Sequence, residues 1–159
     1  MGKRGDATIS PDGVYRYDLR RKLARGRSVA LWVMLNPSTA DATVDDPTIR
    51  RCIQFTKDWG HAILVVVNLF ALRATDPAWL KKASDPVGPE NDSTIEAWLD
   101  VADKVVVAWG VSGTLMDRDE AFRQMASAHG QRLWCLGTTK GGHPRHPLYV
   151  RSSKALERW

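Results

Sequence analysis

The chain has little cysteine. Two thiols, Cys52 and Cys135, occur in 159 residues, and both fall inside apolar patterns. A pair cannot supply the four thiolates usual for an iron–sulfur cluster. No Cys/His set has the spacing of a zinc site. Buried, reduced thiols of a cytoplasmic protein are the expectation. Long apolar runs are also missing. None approaches the roughly 20 residues of a membrane span, and Met1 to Asp6 lacks the apolar core of a signal peptide. There is no Gly-x-Gly-x-x-Gly, no Walker-type loop and no Gly-x-Ser-x-Gly elbow. Dinucleotide, nucleoside-triphosphate and serine-hydrolase chemistry therefore lose their usual signatures. Asp41, Asp45 and Asp46 come nearest to a cation site, but a helix cap and solvent exposure account for them. No metal and no other cofactor is expected.

What is present is the make-up of an ordinary globular domain, 43% hydrophobic and 26% charged. Its length suits a single domain over 1–159 that buries a core. The net charge of +5 is unevenly placed. Residues 1–27 hold eight Lys/Arg against three Asp. Residues 140–159 hold five Lys/Arg against one Glu, and the middle is net acidic. Two basic ends suggest a phosphate-facing surface, with solvated tails as the plain alternative.

Residues 1–7 are polar and expected to be loose. Ser10-Pro11-Asp12-Gly13 signals a turn, Val14 to Asp18 alternates like an edge strand, and Leu19 to Arg27 reads as a basic connection. The basic segment 1–27 thus precedes an α/β core over 28–159. Four apolar stretches, Val29–Leu35, Ile63–Val67, Lys104–Trp109 and Arg132–Leu136, predict buried parallel strands. Helices are predicted between them. One starts at Asp45-Asp46-Pro47 with an Asp cap and Pro in the first turn, and is ended by Gly60. Others follow Asp76-Pro77, Glu90 or Asn91, and Met116 through His129, with a last one from about Val150 to Trp159. The pattern predicts a three-layer α/β/α sandwich around a central, mostly parallel four-stranded sheet, with an N-terminal edge strand.

In such a sheet the strand ends share one edge, where ligands bind. The first loop brings Asn36, Pro37 and Ser38, the second Asn68, Phe70 and Arg73, and the third Gly110 and Ser112. The fourth brings Lys140, His143, Arg145 and His146. Asn36 orients a water or closes an Asn-Pro turn. Asn68 follows an apolar run and can present both a donor and an acceptor to a nucleobase edge; the plain alternative is an amide tying two loops. Phe70 can stack on a base or simply join the core. His143 and His146, flanking Pro144 and Arg145, suit an acid, a hydrogen-bond donor or a phosphate contact.

These residues carry a resemblance. Met34-Leu35-Asn36-Pro37-Ser38 resembles the first motif of the uracil-DNA glycosylase superfamily. Val65 to Asn68 resembles its second-strand segment, where an Asn reads the flipped base. Gly110 sits where that superfamily has a small-residue turn, and His146-Pro147-Leu148 resembles its His-Pro loop with a leucine wedge. The chain is also similar to an uncharacterised bacterial and phage family, domain of unknown function 1643. The hallmarks of that family stand here as Leu35 to Ala40, Asp46-Pro47-Thr48, Asn68 to Ala71, Ala108-Trp109-Gly110 and His146 to Tyr149.

The superfamily resemblance implies a DNA-repair-type hydrolase that flips a deaminated or modified base from the stack and cleaves its N-glycosidic bond. Asn36, His146 and His143 would be the catalytic set. Asn68, Phe70, Pro37 and Ser38 would hold the base. Lys140, Arg145, Leu148, Arg73, Arg25 and Arg27 would meet DNA, single- or double-stranded, or a nucleotide. A monomer with no membrane contact is expected. Met34 and Ser38 depart from the superfamily pattern. They favour one alternative, a non-catalytic binder of modified bases or nucleotides; the other alternative is an enzyme of phage-type nucleotide or base modification.

Overall fold

The computed structural model describes residues 5–159. Strands β1 (Gly5–Ile9), β2 (Arg16–Lys22), β3 (Val29–Met34), β4 (Ile63–Asn68), β5 (Lys104–Val107), β6 (Leu133–Cys135) and β7 (Glu157–Arg158) form one mixed sheet. The order across it is β1-β2-β4-β3-β5-β6-β7. The four central strands are parallel, as the apolar runs predict. β2 and β7 flank them antiparallel. The helices are α1 (Pro47–Asp58), α2 (Ala78–Lys82), α3 (Asn91–Val101) and α4 (Arg118–Ala128).

Successive strand residues point to opposite faces, and here both faces are covered. Trp32, Met34, Leu64, Val66 and Val106 pack with Ile49, Cys52 and Phe55 of α1. Leu31, Val33, Val65, Val67 and Val105 pack with Ile95 and Leu99 of α3 and Phe122 and Ala126 of α4. This double cover is why the strands read as unbroken apolar runs rather than alternating ones. Both cysteines are buried and free. Among the described residues no helix is long and apolar enough to cross a membrane.

α1 begins as its sequence dictates. The Asp46 carboxylate accepts the Ile49 N–H at 2.8 Å, with Pro47 in the first turn. The inner side of α1 meets Trp32, which is fully buried. Its indole N–H donates to the Thr56 hydroxyl at 3.0 Å, and its ring stacks on Trp59 at 5.4 Å.

Three expectations are corrected. First, the strand expected over 14–18 is not an edge. β2 runs on to Lys22 and pairs with both β1 and β4, so the first part of the supposed basic connection, Leu19 to Lys22, is strand. Leu19 is fully buried, while Arg20 pairs with Asp6 at 3.1 Å and Arg21 folds over the loop after β3. The edge is β1, drawn from residues expected to be loose. Second, 150–159 is not helical. A 3-10 turn, Pro147–Tyr149, leads to β7. Trp159 donates its backbone N–H to Leu133, meets Trp109 edge-on at 5.1 Å and receives the Arg123 guanidinium at 4.0 Å. These contacts outweigh weak helical propensity. Third, the helix expected from Met116 begins only at Arg118. A 3-10 segment, Gly110–Asp117, precedes it, with Met116 and Asp117 at positive φ.

Thr56 generates a stability prediction. Thr56→Val keeps the shape but leaves the buried Trp32 indole N–H unpaired, so it should cost about 1–3 kcal/mol, while Thr56→Ser should recover most of this. Urea midpoints at unchanged slope check it.

Candidate functional site

A cavity of about 430 Å³ lies at the carboxyl ends of β3 and β4, the edge where parallel sheets gather their loops. It falls within the roughly 300–1,000 Å³ usual for small-molecule sites. Its walls come from the β3 loop, the amino end of α1, the chain around Ala74, the Trp109–Ser112 turn and the His146–Tyr149 segment.

Asn68 ends β4 opposite Met34 of β3. Its backbone is held from the α3–α4 side. Asn91, itself fully buried, donates from Nδ2 to the carbonyls of Asn68 and Leu69 at 2.9 and 3.1 Å. Arg118 donates to the Leu69 carbonyl at 2.9 Å and pairs with Asp92 at 2.6 Å. The Asn68 side chain lines the cavity, and the residue is 1% exposed. Neither its amide nitrogen nor its amide oxygen has a protein partner among the described residues. Buried polar atoms are rarely left so, and such pairs of orphans mark a place where a ligand or water completes the bonding.

Asn36 is differently engaged. Its Nδ2 donates to the carbonyls of Pro37 and Ala74, at 3.1 and 2.9 Å, tying the first loop to the second. Its Oδ1 accepts nothing from the described residues. Arg21 holds the rest of this loop. It donates to the carbonyls of Asp41 and Ala42 at 2.5 and 3.2 Å and pairs with the Asp45 carboxylate at 2.9 Å. The Asp41 carboxylate accepts the N–H groups of Thr43 and Val44, which hold its pKa below the ordinary value. Among the described residues no three His, Cys, Asp or Glu side chains cluster as a cation site.

His146 lines the cavity and stacks obliquely on Tyr149 at 5.6 Å. Its Nδ1 accepts the Leu148 N–H at 3.2 Å. That bond assigns the neutral ring's proton to Nε2. Burial lowers its pKa from the ordinary 6.5, with Asp46 pulling it back up. The ring is therefore a neutral Nε2–H donor at pH 7.

Two cavity residues escape a reading of the sequence. Asp46 reads in the sequence as a helix cap, with a cation ligand as the lesser reading, yet it lines the cavity. Arg16 is hidden by a β-bulge. The β1–β2 register shifts between Thr8 and Ile9, so that Thr8 opposes Asp18 and Ile9 opposes Arg16. Asp18 accepts from Trp98 of α3, on the far face of the sheet. The extra residue, Tyr17, lets Arg16 turn to the cavity side. No alternation rule foresees that turn.

Of the residues singled out in the sequence, Asn36, Pro37, Ser38, Asn68, His146 and Leu148 meet at this cavity. The others do not. Phe70 is fully buried in the core against α3 and α4, so it presents no face for stacking. His143 lies outside the walls, its backbone paired with Thr139. Arg73 lines a neighbouring groove with Trp79 and Lys82. Arg145 donates to the Thr138 carbonyl and lines another groove, while Lys140 is exposed on the same loop. Arg25 and Arg27 are not among the residues lining the cavity. They precede Val29, at the amino end of β3, about 20 Å from the cavity at the usual rise per residue.

The pH dependence of stability follows from His146. Its folded-state pKa is depressed, so its contribution is full above 6.5 and is lost as pH falls through the folded value. The ring resonances of His146 should titrate below 6.5. His61 shifts the same way, so the stability readout is the difference between wild type and His146→Asn, whose melting point should fall less on acidification.

Neither a curated protein nor a solved structure matches the chain. A family model does match, over residues 16–148. That span runs from Arg16 to Leu148 and holds every cavity residue except Tyr149. The chain belongs to the DUF1643 family, described as proteins of unknown function.

Proposed function

We propose that the protein is a DNA glycosylase-like hydrolase that cleaves the N-glycosidic bond of a deaminated or modified base, with a distant relationship to the uracil-DNA glycosylase superfamily. The observation that carries this reading is the Asn68 amide, buried at the cavity with its donor and acceptor both unfilled. A planar base edge presents the complementary pair. Supporting it, the short motifs around Asn36, Asn68, Gly110 and His146 converge on one cavity from three strand ends and the C-terminal loop. The four parallel strands, covered on both faces, supply the sandwich frame that the resemblance implies.

In this mechanism the flipped base enters the cavity and Asn68 reads its edge. Asn36 Oδ1 accepts a hydrogen from the attacking water. The water oxygen bonds to the sugar C1′, and the glycosidic electron pair leaves with the base nitrogen. The Nε2–H of His146 donates a hydrogen bond to the developing negative charge. The water's released proton goes to solvent or to the departing base. Phe70 has no part in this scheme; the aromatic walls are Trp109 and Tyr149. Leu148, 45% exposed, would enter the gap left in the stack. Lys140 and Arg145 would meet phosphates, so affinity would fall with salt.

A second reading is a binder of modified bases, or a nucleotide-modifying enzyme, that uses the same cavity without base excision. The commitment of Asn36 Nδ2 to two backbone carbonyls favours it, because that side chain already has a structural role.

The test is incubation with single- and double-stranded DNA carrying uracil, hypoxanthine, hydroxymethylated or glycosylated bases, followed by a search for alkali-labile abasic sites. Wild type should produce them. Asn36→Ala and His146→Ala should each slow release by roughly a hundredfold or more, with DNA binding retained. Full activity in Asn36→Ala overturns the assignment, and tight binding without release selects the second reading. Asn68→Ala should weaken binding of the modified base while leaving unmodified DNA affinity unchanged.

A further inference from the structure

Arg16 is the least expected group in the cavity. It is 2% exposed, and its Nη1 donates to the Ala40 carbonyl at 3.0 Å. Its Nε is buried with no partner, and among the described residues no carboxylate forms an ion pair with it. A buried cation without a counter-ion is costly, and structures normally pair such groups. Burial lowers its pKa to about 10, with Asp46 opposing the shift, so the guanidinium stays charged at neutral pH. Asp46, which caps α1 through its Oδ1, lines the same cavity but forms no ion pair with Arg16. The amino end of that twelve-residue helix also lines the cavity through Thr48 and Ile49, adding a positive field that the capping Asp46 carboxylate offsets in part.

We propose that Arg16 and the amino end of α1 make this cavity an oxyanion site, so that its ligand brings a negatively charged oxygen to Arg16 and a planar hydrogen-bonding edge to Asn68. Both residues line the same cavity, are nearly fully buried and carry hydrogen-bonding atoms without a partner. A guanidinium offers a planar fork of donors that matches an oxyanion and is always ready to bind one. The charge has two chemical sources, a phosphate on a nucleotide or an acidic ring oxygen on the base itself. The inference goes beyond base excision and stands without it, because it concerns the charge of the ligand rather than its cleavage.

The test is titration calorimetry on the intact protein at low salt. The probes are inorganic phosphate, the common nucleoside 5′-monophosphates, their nucleosides, and 5-fluorouracil against uracil at mildly alkaline pH, where the fluorinated ring ionises more fully. At least one anionic probe should bind about tenfold or more tightly than its neutral counterpart, the size of effect expected from one charge-assisted hydrogen bond. Preference for a monophosphate over its nucleoside identifies the phosphate source; preference for 5-fluorouracil identifies the ring oxyanion. Arg16→Gln should abolish the preference, and Arg16→Lys should keep it at reduced affinity. Should Arg16→Gln fail to fold, the wild-type preference and the Arg16→Lys variant still decide. Equal binding of charged and neutral probes, no binding of any anion, or an undiminished preference in folded Arg16→Gln overturns the proposal. Base release is not measured here, so this result and the excision assay fail independently.

Discussion

The parallel pairing of β3 with β4 is the constraint on which the rest depends. It runs unbroken from Val29 opposite Ile63 to Met34 opposite Asn68. Because side chains alternate along a strand, this register fixes Met34 and Asn68 on the same face as Trp32 and Val66. That is the face α1 covers. The strand end that carries Asn68 and the loop that carries Asn36 therefore arrive beside the capped end of one helix. A one-residue slip would send the Asn68 amide to the opposite face, among the aliphatic side chains of α3 and α4.

Around that register the protein satisfies its polar groups selectively. Asn91 and Arg118 bond the carbonyls just beyond β4, Arg21 bonds those of the loop beyond β3, and Asn36 links the two loops. These bonds hold the backbone that carries the cavity. Within the cavity the Asn68 amide and the Arg16 Nε are left without partners. Leaving a buried polar group unpaired costs about 1–3 kcal/mol, so their co-occurrence at one cavity is the physical reason to regard it as a binding site. His146 follows a related logic: its Nδ1 is engaged by a local backbone N–H, which reserves Nε2 for whatever enters.

Much of this was legible because it rests on local chemistry. The Asp46-Pro47 cap, the four buried strands and the placement of Asn36 and Asn68 at strand ends follow from residue pattern alone. What escaped is non-local. The strand β1 forms because β2 offers it an edge, and β7 forms because Trp159 finds Trp109 and Leu133. Phe70 looked available for stacking only because sequence position does not reveal burial. Of the two His-Pro pairs, only the fold could choose His146, since both occupy the same polar loop.

By itself the sequence determined the α/β alternation, the parallel core and the edge at which a site would lie, because periodicity and capping act over a few residues. The tertiary structure decided which side chains share the cavity. It brought in Arg16 through a bulge that breaks strand alternation, excluded Phe70 by burying it, and sent Arg25 and Arg27 to the opposite edge. The reason is physical: a side chain's face and its counter-ions are set by register and by packing between distant segments, and neither is encoded in the spacing of its neighbours.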